Sequence, residues 1–121
     1  NPVYYAQYAH ARLSSILEQG KTIPLDLSGS KLEKESEMTL LKKLFEFQTV
    51  VEDAAKERAP YKITNYIHDL AESIHHFYTE CRVIDFENPD VSGSRLALCL
   101  ASKQVLKNAL NLVGVSAPLK M

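Results

Sequence analysis

Apolar side chains recur every three or four residues along four stretches of this chain, and nowhere do they alternate over a useful length. A period near 3.6 gathers them on one face of an α-helix, whereas a half-buried strand needs a period of two. The pattern therefore restricts the chain to an all-α class, a helical bundle in which four main helices bury their apolar stripes together. In the first helix the stripe is Val3, Ala6, Ala9, Leu13 and Ile16. Asn1 can cap it, Pro2 suits its first position and Gly20 ends it. Residues 20–34 contain Gly20, Pro24 and Gly29 and read as a connection. It is longer than the ~2–8 residues usual between bundle helices, which makes it a candidate functional loop.

The spacing predicts a second helix over 35–57, with Leu40, Leu41, Leu44, Phe45, Gln48, Val51, Ala54 and Ala55 as its stripe and Pro60 closing it. A third runs over 62–82, carried by Ile63, Ile67, Leu70, Ile74, either Phe77 or Tyr78, and Cys81. Asn88-Pro89-Asp90 and Ser92-Gly93-Ser94 read as breaks. The fourth helix then covers 94–113, with Leu96, Cys99, Leu100, Leu106, Leu110 and Val113 inward, Gly114 as its stop and Pro118 barring its return.

The 121 residues, 45% of them apolar, suit a single domain over 1–121 with one real core. No apolar run approaches the roughly 18 residues that span a bilayer, so no membrane is expected as a partner. Cys81 and Cys99 have no CxxC spacing and sit in apolar stripes, as small buried hydrophobes do. No leader pattern of basic then apolar residues opens the chain, and a start at Asn1 reads as a piece of something longer.

Charge is uneven. The net value of −1 excludes a strongly basic, histone-like binder. Yet residues 94–121 hold Arg95, Lys103, Lys107 and Lys120 with no acid, and the first 25 residues carry a net +1. Nearly all the acids lie between. If the two ends meet in space, one face can attract a polyanion.

Few groupings suggest chemistry. Ser28-Gly29-Ser30-Lys31-Leu32 is echoed by Ser92-Gly93-Ser94-Arg95-Leu96, but one glycine per copy makes a turn and a serine cap, not a phosphate loop. His68, Glu72 and His75 or His76 share a helix face and could offer zinc two nitrogens and a carboxylate, although no second ligand pair exists and ordinary packing explains them as well. Glu52-Asp53 and Asp85/Glu87 read as surface charge. No nucleophile, base and oxyanion hole assemble, so no catalytic residue is assigned. Tyr4, Tyr8 and Arg12 recur every four residues, off the apolar stripe, and form a platform on which unpaired bases can stack.

Asn1-Pro2-Val3-Tyr4-Tyr5-Ala6-Gln7-Tyr8-Ala9-His10-Ala11-Arg12 resembles the start of the C-terminal, DALR-type anticodon-binding domain of class I arginyl-tRNA synthetases. Three further matches follow in order: Asp69-Leu70-Ala71 with His76-Phe77-Tyr78 and Cys81-Arg82-Val83; Ser94-Arg95-Leu96-Ala97-Leu98 with Val105-Leu106-Lys107-Asn108 and Leu110; and Gly114-Val115-Ser116-Ala117-Pro118 with Met121. The resemblance implies a tRNA-reading module of a cytoplasmic, monomeric ligase. Its ATP and magnesium would belong to a catalytic domain of the same parent chain, and this domain would hold no cofactor or metal. The implied partner is the anticodon stem-loop of tRNA(Arg), with Tyr8, Arg12, Tyr78 and Met121 as anticodon contacts. Lys103 and Lys107 are expected on phosphates, with Arg95 and Tyr4 as weaker candidates; Arg95 has the alternative of pairing with an acid inside the bundle. Rival readings are the related domain of the glycyl-tRNA synthetase β subunit, against which Gly114-Val115 and Pro118 before Met121 count, and a helical protein-interaction domain with no RNA role.

Overall fold

A computed structural model describes residues 2–121, apart from the side chain of Pro2. The expected Asn1 cap lies outside the described residues. Five helical segments follow one another: α1 (Pro2–Gln19), α2 (Glu35–Phe45), α3 (Phe47–Glu57), α4 (Tyr61–Glu80) and α5 (Pro89–Leu112). No strand occurs among the described residues. Because α2 and α3 are the two halves of the expected second helix, the architecture is the four-helix, all-α bundle that the periodicity implies. α4 runs through its centre and touches every other helix, while α1 packs on both α4 and α5. Leu13, Leu40, Ile67, Leu70, Ile74, Phe77, Leu96, Leu106 and Leu110 are fully buried between them. Each such side chain contributes roughly 1.5–3 kcal/mol on burial. Phe77 takes the core position, which leaves Tyr78 half-buried at the edge.

The expected second helix breaks at Glu46, where the sequence has neither Gly nor Pro. The cause is tertiary. The Tyr66 hydroxyl on α4 donates to the Lys43 carbonyl at 2.6 Å, a group that a continuous helix would give to the Phe47 N–H. Glu46 N–H turns to the same carbonyl in a tighter i→i+3 bond of 3.2 Å. Beyond the break the inward face is re-aimed. Phe47 meets the Tyr66 ring at 5.6 Å, and Val50 and Ala54 follow it inward. Phe45, Gln48 and Ala55, expected in the stripe, are exposed.

α5 starts at Pro89, five residues earlier than the spacing predicts. Pro89 occupies the first turn, where a missing N–H costs nothing. Ser92, Gly93 and Ser94 do not break the chain; they are buried within the helix. Small residues are needed there because the 20–34 connection lies directly on them. A Cβ at Gly93 would sit 2.6 Å from the Pro24 carbonyl oxygen, and Asp26 N–H donates to the Gly93 carbonyl at 3.1 Å. The two echoed segments meet at this point. The hydroxyls of Ser28, Ser30 and Ser94 all donate to the Asp26 carboxylate, and Ser94 Oγ accepts from Lys31 N–H. Those hydroxyls, Ser28 foremost, hold the Asp26 carboxyl far below the usual carboxylate range. Leu100, expected inward, is exposed, and Leu98 is buried in its stead where Leu32 and Leu41 face it.

α5 ends at a left-handed residue. Gly114 has φ +75°, its N–H bonds to Asn111 O, and Val115 N–H bonds to Leu110 O. This paired closure needs a residue that tolerates positive φ, and it turns residues 115–121 back across the bundle toward α1.

Candidate nucleic-acid interface

Because Ala6, Ala9, Leu13 and Ile16 point α1 into the bundle, Tyr4, Tyr8 and Arg12, off that stripe, point outward. Tyr4 and Arg12 are exposed, and Tyr8 is 51% exposed. The returning tail lies along the same helix. Gln7 Nε2 donates to the Ser116 carbonyl at 3.0 Å, and His10 Nδ1 bonds to the Pro118 carbonyl at 2.6 Å. Leu119, Lys120 and Met121 thereby come to rest beside Tyr8, Ala11, Arg12 and Ser15, around a surface pocket of about 220 Å³. On its other side the Arg12 guanidinium lies 5.5 Å from the centroid of the Tyr78 ring, within cation–π range. Arg12 and Tyr78 line a second hollow of about 170 Å³ with Ile16 and Arg82. Tyr8, Arg12, Tyr78 and Met121, distant in sequence, thus form one continuous surface.

The Tyr78 hydroxyl is tied to His75 Nδ1 at 2.9 Å, with the two rings edge to face at 5.1 Å. Burial pushes the Tyr78 phenol up from its ordinary pKa while Arg12 pulls it down. His10 is pushed the other way. Burial lowers its pKa, the Pro118 carbonyl opposes the shift, and Lys103 and Lys107 add to it. Those two lysines on α5 therefore bear on the α1–tail junction. Arg12 and Lys120 complete a basic edge there, so the two basic ends of the chain do meet.

Arg95 stands apart. Its Nε lies 2.7 Å from Glu37 Oε2, and an Nη1–H donates to the Arg82 carbonyl at 2.8 Å. Glu37 is fully buried, and its other oxygen accepts from the N–H groups of Glu33 and Lys34 at the start of α2. Burial by itself would raise the Glu37 pKa; the Arg95 hydrogen bond and the two N–H groups outweigh it and hold the carboxyl below its ordinary value. Arg95 is thus committed to the bundle and leaves the set of phosphate candidates, because its charge is spent inside. The histidines of α4 also divide. His68 approaches Asp69 and Glu72, a trio whose ligand atoms lie within 4.8 Å of one another on the surface. His75 packs on Tyr5 and Tyr78, with His68 on the same Tyr5 ring, and among the described residues neither His75 nor His76 joins the trio. Cys81 and Cys99 are free and buried, and burial pushes the Cys99 thiol up to about 12.

The sequence profile of the DALR anticodon binding domain matches residues 6–121. The chain belongs to that family. Curated relatives point the same way. Arginine–tRNA ligases of Listeria monocytogenes serotype 4b and of Bacillus subtilis are each 51% identical over 125 residues, covering 100% of this chain and 22% of theirs. The DALR domain therefore spans about a fifth of those relatives. Among solved structures, Thermus thermophilus arginyl-tRNA synthetase superposes with a TM-score of 0.82 at 33% identity, over 97% of this chain and 21% of that one. These relatives are of the arginyl type, and the glycyl β-subunit alternative is not favoured. Among the described residues of the domain, no helix is long and apolar enough to cross a membrane.

Two site residues of the DALR domain were not expected from its sequence. Gln7 and His10 hold the tail against α1, yet neither stands out by charge or by a metal-ligand spacing. A signal for His10 did exist. It lies four residues after Ala6 and three before Leu13, on the apolar stripe, where a buried polar ring must find a partner.

Proposed function

We propose that this DALR domain grips the anticodon stem-loop of an arginine tRNA and so presents the acceptor end to a catalytic domain elsewhere in the parent protein. The observation that carries the reading is the shared pocket of Tyr8, Arg12 and Met121, with the Tyr78 ring against Arg12. Every arginine codon has G at its middle position, so every arginine anticodon has C there. An unstacked cytosine can lie on the exposed Tyr8 ring while backbone groups of the tail meet its Watson–Crick edge. Stacking of this kind is worth about 1–3 kcal/mol per base. Lys103 and Lys107 serve phosphates on the same side, with Tyr4 one turn beyond Tyr8. In this reading the domain supplies no catalytic group. ATP and magnesium act in the catalytic domain, which also adds tRNA contacts that a chain of net charge −1 lacks. The parent works as a monomer in the cytoplasm.

The test is NMR shift mapping of this chain with an arginine anticodon stem-loop, against a loop with a changed middle base, in low salt where RNA affinity is highest. Shifts at Tyr8, Arg12, Tyr78 and Met121 that fade with the changed base are the expected result. Removing Met121 is expected to reduce discrimination for the middle cytosine. Base-independent shifts, or none at these four residues, would remove the anticodon reading and leave the protein-interaction alternative.

A further inference from the structure

We infer that His10 is the positioning residue for the base-reading tail: as a neutral imidazole donating from Nδ1, it latches the Pro118 carbonyl onto α1 and so sets where Leu119–Met121 lie. The inference rests on the anticodon-reading role proposed above.

After Gly114 the chain has no helix to hold it. Its polar anchors to α1 are Gln7 on Ser116 and His10 on Pro118. They are unequal. The Gln7 bond is exposed and competes with water, whereas His10 is 1% exposed. A hydrogen bond shielded in this way is stronger electrostatically, and breaking it strands a buried ring nitrogen. The point of attachment matters as well. A proline has a fixed φ and no N–H of its own, so holding its carbonyl directs the three residues that follow, and these line the pocket.

The chemistry fixes the proton. A carbonyl only accepts, so at 2.6 Å the hydrogen must sit on His10 Nδ1. Nε2 is then a bare acceptor, and it is buried with no partner among the described residues. A second proton there would find no acceptor and would face Lys103 and Lys107, the charges that act on this ring. The latch is therefore built for the uncharged ring. It also shares α1 with Tyr8 and Arg12, two residues away on either side. One rigid helix holds both the stacking ring and the anchor of the tail, which fixes their register to each other.

The test compares His10→Leu, which fills space without donating, with His10→Asn, whose amide nitrogen stands close to where Nδ1 stands. In the 121-residue chain without RNA, 15N relaxation is expected to show residues 115–121 freed in H10L and ordered in H10N, with the helices unchanged. With arginine anticodon stem-loops, H10L is expected to lose about tenfold in discrimination between the middle cytosine and a changed base, the effect of one well-placed hydrogen bond, while H10N keeps it within about threefold. A tail that stays ordered in H10L overturns the latch. A freed tail with unchanged discrimination overturns the positioning role, and H10N behaving as H10L shows that ring packing, not the donated hydrogen, matters. If H10L does not fold, the imidazole 15N shifts of the unmodified chain decide: Nδ1 protonated and Nε2 bare supports the latch, the reverse tautomer overturns it. Failure of the unmodified chain to bind either loop would overturn the anticodon role alone, because the relaxation and tautomer readouts need no RNA.

Discussion

Replacing Arg95 by Met is expected to cost about 3–5 kcal/mol of folding stability, measured by urea unfolding at neutral pH. The reason is the partner left behind. Glu37 is fully buried, and Arg95, whose side chain is 12% exposed, supplies its only side-chain counter-charge among the described residues. Removing one member of a buried pair leaves an uncompensated charge, which is far worse than removing both. The two N–H groups of Glu33 and Lys34 still reach the other carboxylate oxygen, which places the loss toward the lower end. The double variant Glu37→Gln with Arg95→Met is expected to recover much of it. A loss below about 1 kcal/mol, the scale of surface pairs, would show that Arg95 is not structural. If Arg95 served phosphate instead, the single variant would lose RNA affinity and keep its stability.

The same pair gives a pH dependence of definite sign. Glu37 titrates below its ordinary value in the folded chain, so the folded state binds fewer protons there than the unfolded one. Its contribution is fully present above the ordinary glutamate range and is lost as pH falls through the lowered pKa. In Arg95→Met the opposing burial is no longer outweighed by Arg95, and the carboxyl rises. The gap between the two proteins therefore narrows on acidification, as the variant protonates Glu37 first.

What the sequence reveals follows from what is local. Helix periodicity is local, and spacing alone gives the stripes of the first and third helices, whereas Phe45, Gln48, Ala55 and Leu100 fit the period and are exposed. The break at Glu46 was not, because its cause is a hydroxyl on Tyr66, 23 residues from the Lys43 carbonyl it captures. Ser92-Gly93-Ser94 looked like punctuation; the small residues are there so that the Pro24 backbone can approach a helix. The interface divides in the same way. Tyr8 and Arg12 were legible because each lies four residues from the next, off the stripe. Tyr78 and Met121 came only from resemblance, since bringing them to Tyr8 depends on a glycine turn at Gly114 and on tail contacts spanning more than a hundred residues. The Arg95 partner had a faint signal. Glu37 lies three residues before Leu40 and four before Leu41, on the face of α2 that must be buried.

Tyr8 carries the sharpest test of what the surface does. Its ring is half exposed, and no hydrogen bond among the described residues uses its hydroxyl in the fold. Truncation to Ala is therefore expected to leave folding within about 0.5 kcal/mol, as surface changes do. The same change removes the face on which a base would stack. Affinity for the arginine anticodon stem-loop is expected to fall by about 1–3 kcal/mol, roughly 5- to 150-fold in Kd. Tyr8→Phe keeps the ring and is expected to keep most of the affinity. Tyr4→Ala, one turn away and outside the pocket, is expected to lose less than Tyr8→Ala. Fluorescence titrations repeated over a series of salt concentrations separate these cases, because phosphate contacts at Lys103 and Lys107 steepen the salt dependence while stacking does not. Equal binding by Tyr8→Ala and the unmodified chain would sink the platform. A loss in Tyr8→Phe as large as in Tyr8→Ala would shift the weight from the ring to the hydroxyl, and with it from stacking to a polar contact.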